Sequence, residues 1–374
     1  MDTSLGDLRA ELHKINHSIL DLLCRRAQLV TEVLAVKEKE DIPLYVPERE
    51  REMLDDLARQ NPGPFSDDTV RHLFREIFRA SVSLMEQKKI ETLRVSRDSH
   101  GADRVISVGR HEIGRGPVII AGPCAVESAE QMEEVGRGLS RLGVRFLRGG
   151  AFKPRSSPYS FQGLGEPALR LLRDTGERHG MATVTEVMDT RAVGLVSEHC
   201  DILQIGARNM YNYDLLREVG RTRKPVLLKR GISATIDEFL WAAEYVVSGG
   251  NEDVILCERG IRTFETQTRN TLDISAVPIL RKASFLPVIV DVSHAAGRKD
   301  ILAPLGRAAL AAGANGLMVE VHPFPAVARS DSQQQLDLHE FARFLGELAL
   351  ERTGTPFAPE AFAPRAAPVR QLEG

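Results

Sequence analysis

Val118-Ile119-Ile120, the short apolar run leading into Ala121-Gly122-Pro123-Cys124, decides the fold once its repeats are recognised. Seven further β-rich runs follow it: Arg145-Phe146-Leu147, Ala182-Thr183-Val184, Ile202-Leu203-Gln204-Ile205, Val226-Leu227-Leu228, Val254-Ile255-Leu256, Val288-Ile289-Val290 and Leu317-Met318-Val319. Helical patterns separate them, and short continuous apolar runs are what parallel strands covered on both faces require. Eight such units in roughly 230 residues is the count of a closed (β/α)8, or TIM, barrel. An open doubly wound sheet is the other reading of the same alternation. The expected fold class is α/β, with a barrel over 117–350.

Upstream, residues 91–116 are polar and contain glycine, with one apolar stretch at Val105-Ile106-Ser107-Val108, and read as a linker with a short entry strand. Residues 1–90 have no glycine between Gly6 and Gly63, and they break only around Ile42-Pro43 to Pro47 and Asn61-Pro62-Gly63-Pro64. That pattern predicts a small all-α domain of three helices. Leu8, Leu12, Ile15, Ile19, Leu22, Leu29, Val33 and Val36 form an apolar seam along the first helix, which Arg26 interrupts. A helix of roughly 35 residues is about 50 Å long, more than two shorter helices can cover. Pairing with a second copy through the helical domain is therefore expected, giving a homo-oligomer, a dimer or tetramer. The Pro- and Ala-rich tail over 351–374 is expected to be flexible.

The chain carries 49 basic against 52 acidic residues, a net charge of -3, which leaves no global excess for binding a nucleic acid. Neither a signal peptide nor a run of 18 apolar residues is visible, so the expectation is a cytoplasmic protein without a membrane partner. Four scattered cysteines, Cys24, Cys124, Cys200 and Cys257, make no disulfide framework and no Cys-x-x-Cys pair. Cys200 and Cys257 read as core residues, and Gly163-Leu164-Gly165 before Glu166-Pro167 reads as a turn entering a helix.

In a barrel the chemistry collects beyond the C-terminal ends of the strands. The residues found there are Cys124 after the first run, Arg148, Lys153 and Arg155 after the second, and Glu186 after the third. Arg208, Lys229, Arg259 and His294 follow the next four, and Glu320 with Asp331 beyond it follows the eighth. Cys124, His294, Glu320 and Asp331 form a mixed soft and hard donor set suited to one divalent metal ion, Mn, Fe, Co or Zn. Arg148, Lys153, Arg155, Arg208, Lys229 and Arg259 are six cations aimed at one mouth, whose repulsion bound anions would offset. Singly, each has a plainer reading: a small core cysteine, a satisfied loop histidine, a solvated lysine.

The stretches Ala121-Gly122-Pro123-Cys124, Leu147-Arg148-Gly149-Gly150-Ala151-Phe152-Lys153-Pro154-Arg155-Ser156-Ser157, Gly206-Ala207-Arg208-Asn209-Met210, Leu228-Lys229-Arg230-Gly231 and Asp291-Val292-Ser293-His294 resemble the short-barrel (type I beta) family of 3-deoxy-7-phosphoheptulonate (DAHP) synthases. Octulosonate 8-phosphate synthases, the nearest look-alikes, carry an Ala-Asn insertion in the Lys-Pro-Arg segment, and their metal-free members have Asn at the position of Cys124. The resemblance implies a transferase that condenses phosphoenolpyruvate with erythrose 4-phosphate at the first step of the shikimate pathway. It places Arg148, Lys153, Arg208, Lys229 and Arg259 on phosphoenolpyruvate, Arg155 and Ser156 on the aldose phosphate, and the metal on Cys124, His294, Glu320 and Asp331. Lys153 and His294, with Cys124, would be the catalytic groups. A metal aldolase of another sugar phosphate is the runner-up.

The N-terminal domain resembles an all-helical chorismate mutase, with Arg9, Arg26, Lys37, Arg49, Glu50 and Ser81 at matching motif positions. An Arg26–Glu50 ion pair is the plainer account of the cation in the seam. Val46 stands where that family has Asp and Met85 where it has Gln, with Glu86 and Gln87 one and two places later. These departures imply weak turnover, or a domain that senses chorismate or prephenate and restrains the barrel. A module that recruits partner proteins is the contrasting reading.

Overall fold

A computed structural model describes residues 4–40, 42–153 and 159–348, which divide into two compact units, 1–92 and 93–374. The 351–374 tail lies outside the described residues. In the first unit, helices α1 (Leu5–Lys39), α2 (Pro47–Arg59) and α3 (Asp67–Glu91) pack on one another. A capping box starts α1, in which Ser4 Oγ accepts from Asp7 N–H and Asp7 Oδ2 from Ser4 N–H, while Lys37 and Lys39 face the negative end of the helix dipole. Only a small core forms, from Leu34, Leu54, Ala58, Phe78 and Met85. The seam is left bare, with Leu12 58% and Leu22 67% exposed.

The second unit is a closed parallel barrel of eight strands: β3 (Val118–Gly122), β4 (Phe146–Arg148), β5 (Ala182–Glu186), β6 (Ile202–Ile205), β7 (Val226–Lys229), β8 (Val254–Glu258), β9 (Val288–Asp291) and β10 (Gly316–Glu320). Every residue of β6, β7 and β8 is buried, because the helices cover one face and the barrel core the other. Helices α4 (Ala129–Arg141), α5 (Glu166–His179), α6 (Val193–His199), α7 (Tyr213–Gly220), α8 (Ile236–Ser248) and α9 (Ala276–Ala283) follow β3 to β8 in turn. The short α10 (Val292–Ala296) and then α11 (Leu302–Ala311) follow β9, and α12 (Leu338–Glu347) follows β10. The turn expected at 163–165 is present: Gly165, at φ +67°, caps α5, with Pro167 in its first turn.

Pairing of β10 with β3 closes the barrel and sets Glu320 beside Gly122. Gly122 has φ +149°, and a Cβ there would stand 2.0 Å from Arg148 O, so only glycine fits.

Residues 93–113 are more ordered than a linker with one entry strand. Val95 is buried, Ser284 Oγ donates to its carbonyl at 2.6 Å, and its N–H donates to Glu244 at 3.0 Å. Strand β1 (Ile106–Val108) pairs antiparallel with β2 (His111–Ile113). The second strand of this hairpin, His111-Glu112-Ile113, is too short to announce itself by periodicity. Ile106, Val108 and Ile113 join Ile120, Phe146, Ile202, Leu227, Ile255, Ile289 and Met318 in one core, so the hairpin plugs the end of the barrel opposite the chemistry. Ile106→Ala is expected to lower stability by about 2–5 kcal/mol in the barrel's denaturant transition, whereas Ser107→Ala, on the exposed face of β1, leaves it unchanged.

Candidate active site

Closure of the barrel brings the ends of its first and last strands together, and the donors converge there. Cys124 lies two residues past β3, its N–H donating to Gln335 Oε1 at 2.9 Å and its Sγ 3.1 Å from Ser330 Oγ. Glu320 ends β10 and is fully buried. Asp331 sits on the following loop with φ +48°, the positive-φ non-glycine residue among those described, a conformation that costs energy unless its surroundings hold it. One ligand atom from each of Cys124, Glu320 and Asp331 lies within 4.8 Å of the others, which makes a group able to hold a metal ion.

His294 stands at the edge of this group. Asp291 caps α10 through His294 N–H at 2.9 Å and also holds Nδ1 at 2.7 Å, which turns Nε2 to within 3.5 Å of Glu320 Oε1 and 4.0 Å of Asp331 Oδ2. The donor chemistry fits a divalent ion on a further ground. Glu320 Oε1 lies 3.0 Å from Arg148 Nη1, yet the two do not align as a hydrogen bond and both remain without one. Arg148 offsets part of the Glu320 charge, but the buried oxygen keeps an unused acceptor position that a divalent ion would fill.

The charges adjust to this packing. Burial pushes the Cys124 thiol up to about 12, with Glu320 and Asp331 adding to the rise and Lys153 opposing it. Burial alone would raise Asp331 too, but Arg269 and His294 outweigh it and hold its carboxyl at about 2. Burial lowers His294 against the pull of Asp291 and Glu320. Asp291, although fully buried, is held well below the usual carboxylate range by His294 and Lys229.

The six cations are distributed less simply than their repulsion predicts. Lys229 Nζ pairs with Asp291 Oδ2 at 2.5 Å and Arg148 faces Glu320, so protein carboxylates already offset two of them. Lys153 Nζ donates to Cys124 O and Sγ, each at 3.0 Å. Arg259, just past β8, donates long bonds of 3.4 Å to the carbonyls of Gly260 and His294, and Arg208 is exposed after β6. Arg155 and Ser156 lie outside the described residues. Glu186 ends β5 and accepts from Gln204 Nε2 at 3.5 Å.

Reading the sequence missed several supporting groups. Asp291 lies in the Asp291-Val292-Ser293-His294 motif, but only its place three residues before His294 hints at its cap. The Arg230–Glu258 and Arg230–Asp273 pairs, both 2.8 Å, brace the ends of β7 and β8. Gln334 and Gln335, buried beyond β10, gave no signal.

In the helical unit Arg26 and Ser81 come together in a short hydrogen bond, with the guanidinium 5.2 Å from the Phe78 ring. Arg26 makes no ion pair with Glu50 among the described residues, so that account of the cation fails. Lys37 donates to the carbonyls of Pro43 and Leu44 at 2.8 and 2.7 Å, and Arg9 and Arg49 are exposed, Arg49 lying 3.5 Å from Glu52. A single copy therefore gathers only part of the expected set. Met85 is buried, while Glu86 and Gln87 are exposed.

A closed barrel with a metal-capable donor group at its strand ends is the arrangement of an enzyme active site. Residues 96–352 match the DAHP synthetase I family and residues 8–86 match chorismate mutase type II. A phospho-2-dehydro-3-deoxyheptonate aldolase of Thermotoga maritima is 56% identical over 255 residues, covering 68% of this chain and 75% of that protein. A 2-dehydro-3-deoxyphosphooctonate aldolase of Fusobacterium nucleatum is 34% identical, covering 63% and 89%. The crystal structure of the Thermotoga maritima DAHP synthase superposes with a TM-score of 0.67 at 55% identity, over 68% of this chain and 75% of that one. The chain belongs to the DAHP synthetase I family and carries a type II chorismate mutase domain at its N-terminal end. It is a DAHP synthase, a transferase. No helix among the described residues is long and apolar enough to cross a membrane.

The acidity of Asp331 has a measurable consequence. Its folded value of about 2 lies below the ordinary 3.8, so between them the unfolded chain binds more protons. The stabilisation is complete above the unfolded value and is lost as pH falls through the folded one. Metal-free protein is expected to lose stability across roughly pH 4 to 2, and Asp331→Asn to flatten that part of the curve, as followed by chemical denaturation.

Proposed function

We propose that the barrel condenses phosphoenolpyruvate with erythrose 4-phosphate and water, giving 3-deoxy-arabino-heptulosonate 7-phosphate and inorganic phosphate. The observation that carries this reading is the Cys124, Glu320 and Asp331 group with the Lys153 ammonium 3.0 Å from Cys124 Sγ. Arg148, Lys153, Arg208, Lys229 and Arg259 hold the phosphate and carboxylate of phosphoenolpyruvate, and Arg155 and Ser156 take the aldose phosphate. Cys124, His294, Glu320 and Asp331 would hold one divalent ion, Mn, Fe, Co or Zn, which when bound supplies Lewis-acid polarisation of the aldehyde oxygen.

Held in line, the enolpyruvate methylene carbon forms the new C–C bond to the aldehyde carbon. Water adds to the neighbouring carbon, and phosphate leaves by C–O cleavage. Lys153, anchored on Cys124 O, keeps a proton beside the site, and Asp291 on His294 Nδ1 aims Nε2 at the position the ion would take. The paired Lys229 and Arg148 bind anions at fixed positions, which lowers the entropy cost of alignment.

For the helical domain, the half-buried Arg26 on Ser81 supports a site for the dianions chorismate or prephenate, used to restrain the barrel and to rearrange chorismate slowly. The bare seam of α1 supports pairing with a second copy, which would bring further cations to the same site. The buried Met85 offers no hydrogen-bond donor to a breaking ether bond, which supports weak turnover.

Two measurements test these readings. Chelator-stripped protein is expected to consume phosphoenolpyruvate only with erythrose 4-phosphate and added Mn, and Cys124→Ala to abolish that consumption. No consumption in either condition contradicts the assignment. Met85→Gln is expected to raise chorismate turnover by about 10-fold or more, since one such donor is worth roughly 10²–10³ in kcat. Unchanged turnover leaves the domain a sensor or a partner-recruiting module.

A further inference from the structure

Beyond β10 the chain runs back alongside the strand end: Leu336 N–H donates to Glu320 O and His322 N–H to Leu336 O, both at 2.9 Å. This backbone clamp fixes two consecutive buried glutamines, Gln334 at 3% and Gln335 at 0% exposure. Gln335 faces the first strand, accepting from Cys124 N–H at 2.9 Å and donating to Ser330 O at 2.7 Å. Gln334 turns the other way. Its Nε2 donates to Glu320 Oε2 at 2.5 Å, and its Oε1 accepts from Arg269 Nη1 at 2.9 Å. The same Arg269 nitrogen lies 3.4 Å from Asp331 Oδ1.

We propose that Gln334 is a positioning residue for the metal set, fixing Glu320 directly and Asp331 through Arg269. The proposal rests on the reading that Cys124, His294, Glu320 and Asp331 hold a divalent cation. By occupying Oε2, the amide leaves Oε1 as the one Glu320 oxygen without a hydrogen bond, so the carboxylate presents a single oxygen to the ion. The Arg269 contact fixes which end of the amide faces Glu320 and restrains an aspartate in a left-handed conformation. A glutamine suits both duties because it is at once donor and acceptor and adds no charge.

The test uses the full chain, stripped of metal and titrated with Co²⁺ against a competing chelator, with the thiolate-to-Co²⁺ absorption band reporting Cys124. Gln334→Met keeps the side chain's length and removes both hydrogen bonds, whereas Gln334→Asn keeps the amide but withdraws it by one methylene. Both are expected to bind Co²⁺ about 10- to 100-fold more weakly than the parent, with an altered visible spectrum. Parental affinity and spectrum in the variants overturn the proposal, even if their metal-free melting temperature falls, because that pattern marks a residue that only fills space. If Gln334→Met does not fold, Gln334→Asn decides by the same criteria. A parent without the thiolate band overturns the metal-site reading and this proposal with it. A parent with the band and variants indistinguishable from it overturn this proposal alone.

Discussion

Glu320 is a fully buried carboxylate with one oxygen held by Gln334 and the other left without a hydrogen bond. Leaving a buried acceptor unsatisfied costs about 1–3 kcal/mol, and more when it is charged. Much around it answers that cost. Arg148 arrives from β4, the Cys124 thiol from the loop after β3, His294 from α10, and Asp331 from a loop bent into a strained backbone conformation. Barrel closure makes this possible, since pairing Glu320 with Gly122 brings the first and last strands side by side. The same closure demands glycine at 122, where the backbone of β4 passes too near for any side chain.

Around this centre, buried charges come in compensated groups. Asp291 joins Lys229 to His294, and Arg230 joins Glu258 to Asp273. Burial raises the pKa of Glu258 while Arg230 opposes the rise. Removing one member of such a pair leaves a lone buried charge, whereas the intact pair adds rigidity more than stability. Rigidity is what a site that aligns reacting groups needs. The helical unit differs: its core is small, its longest helix shows an apolar face to solvent, and its half-buried Arg26 rests on a serine hydroxyl.

The barrel was legible because each parallel strand is a short apolar run with a polar residue after it, so counting runs counted strands and singled out the candidate residues beyond them. Cys124, Glu320 and Asp331, which the structure brings together, stand out that way; Arg26 and Ser81 stand out through the family motif, but their contact does not. The amides and carboxylates that position those residues were not legible. Gln334 and Gln335 lie in an irregular polar stretch with no periodicity, and Asp291 acts through a cap whose partner is fixed only by the fold. The entry strand β1 was legible, but its hairpin partner β2 escaped because a three-residue strand carries too little pattern. Six cations read as bare were in part paired, since a sequence does not reveal which buried acids face them.

Cys124 and the carboxylates of Glu320 and Asp331, with His294, would together surround one divalent ion. X-ray absorption on protein loaded with one equivalent of Zn²⁺ tests it most directly. The account predicts a single sulfur at about 2.3 Å with nitrogen and oxygen neighbours at about 2.0–2.2 Å, and loss of the sulfur shell in Cys124→Ser. A shell of oxygen and nitrogen alone in the parent protein would contradict it.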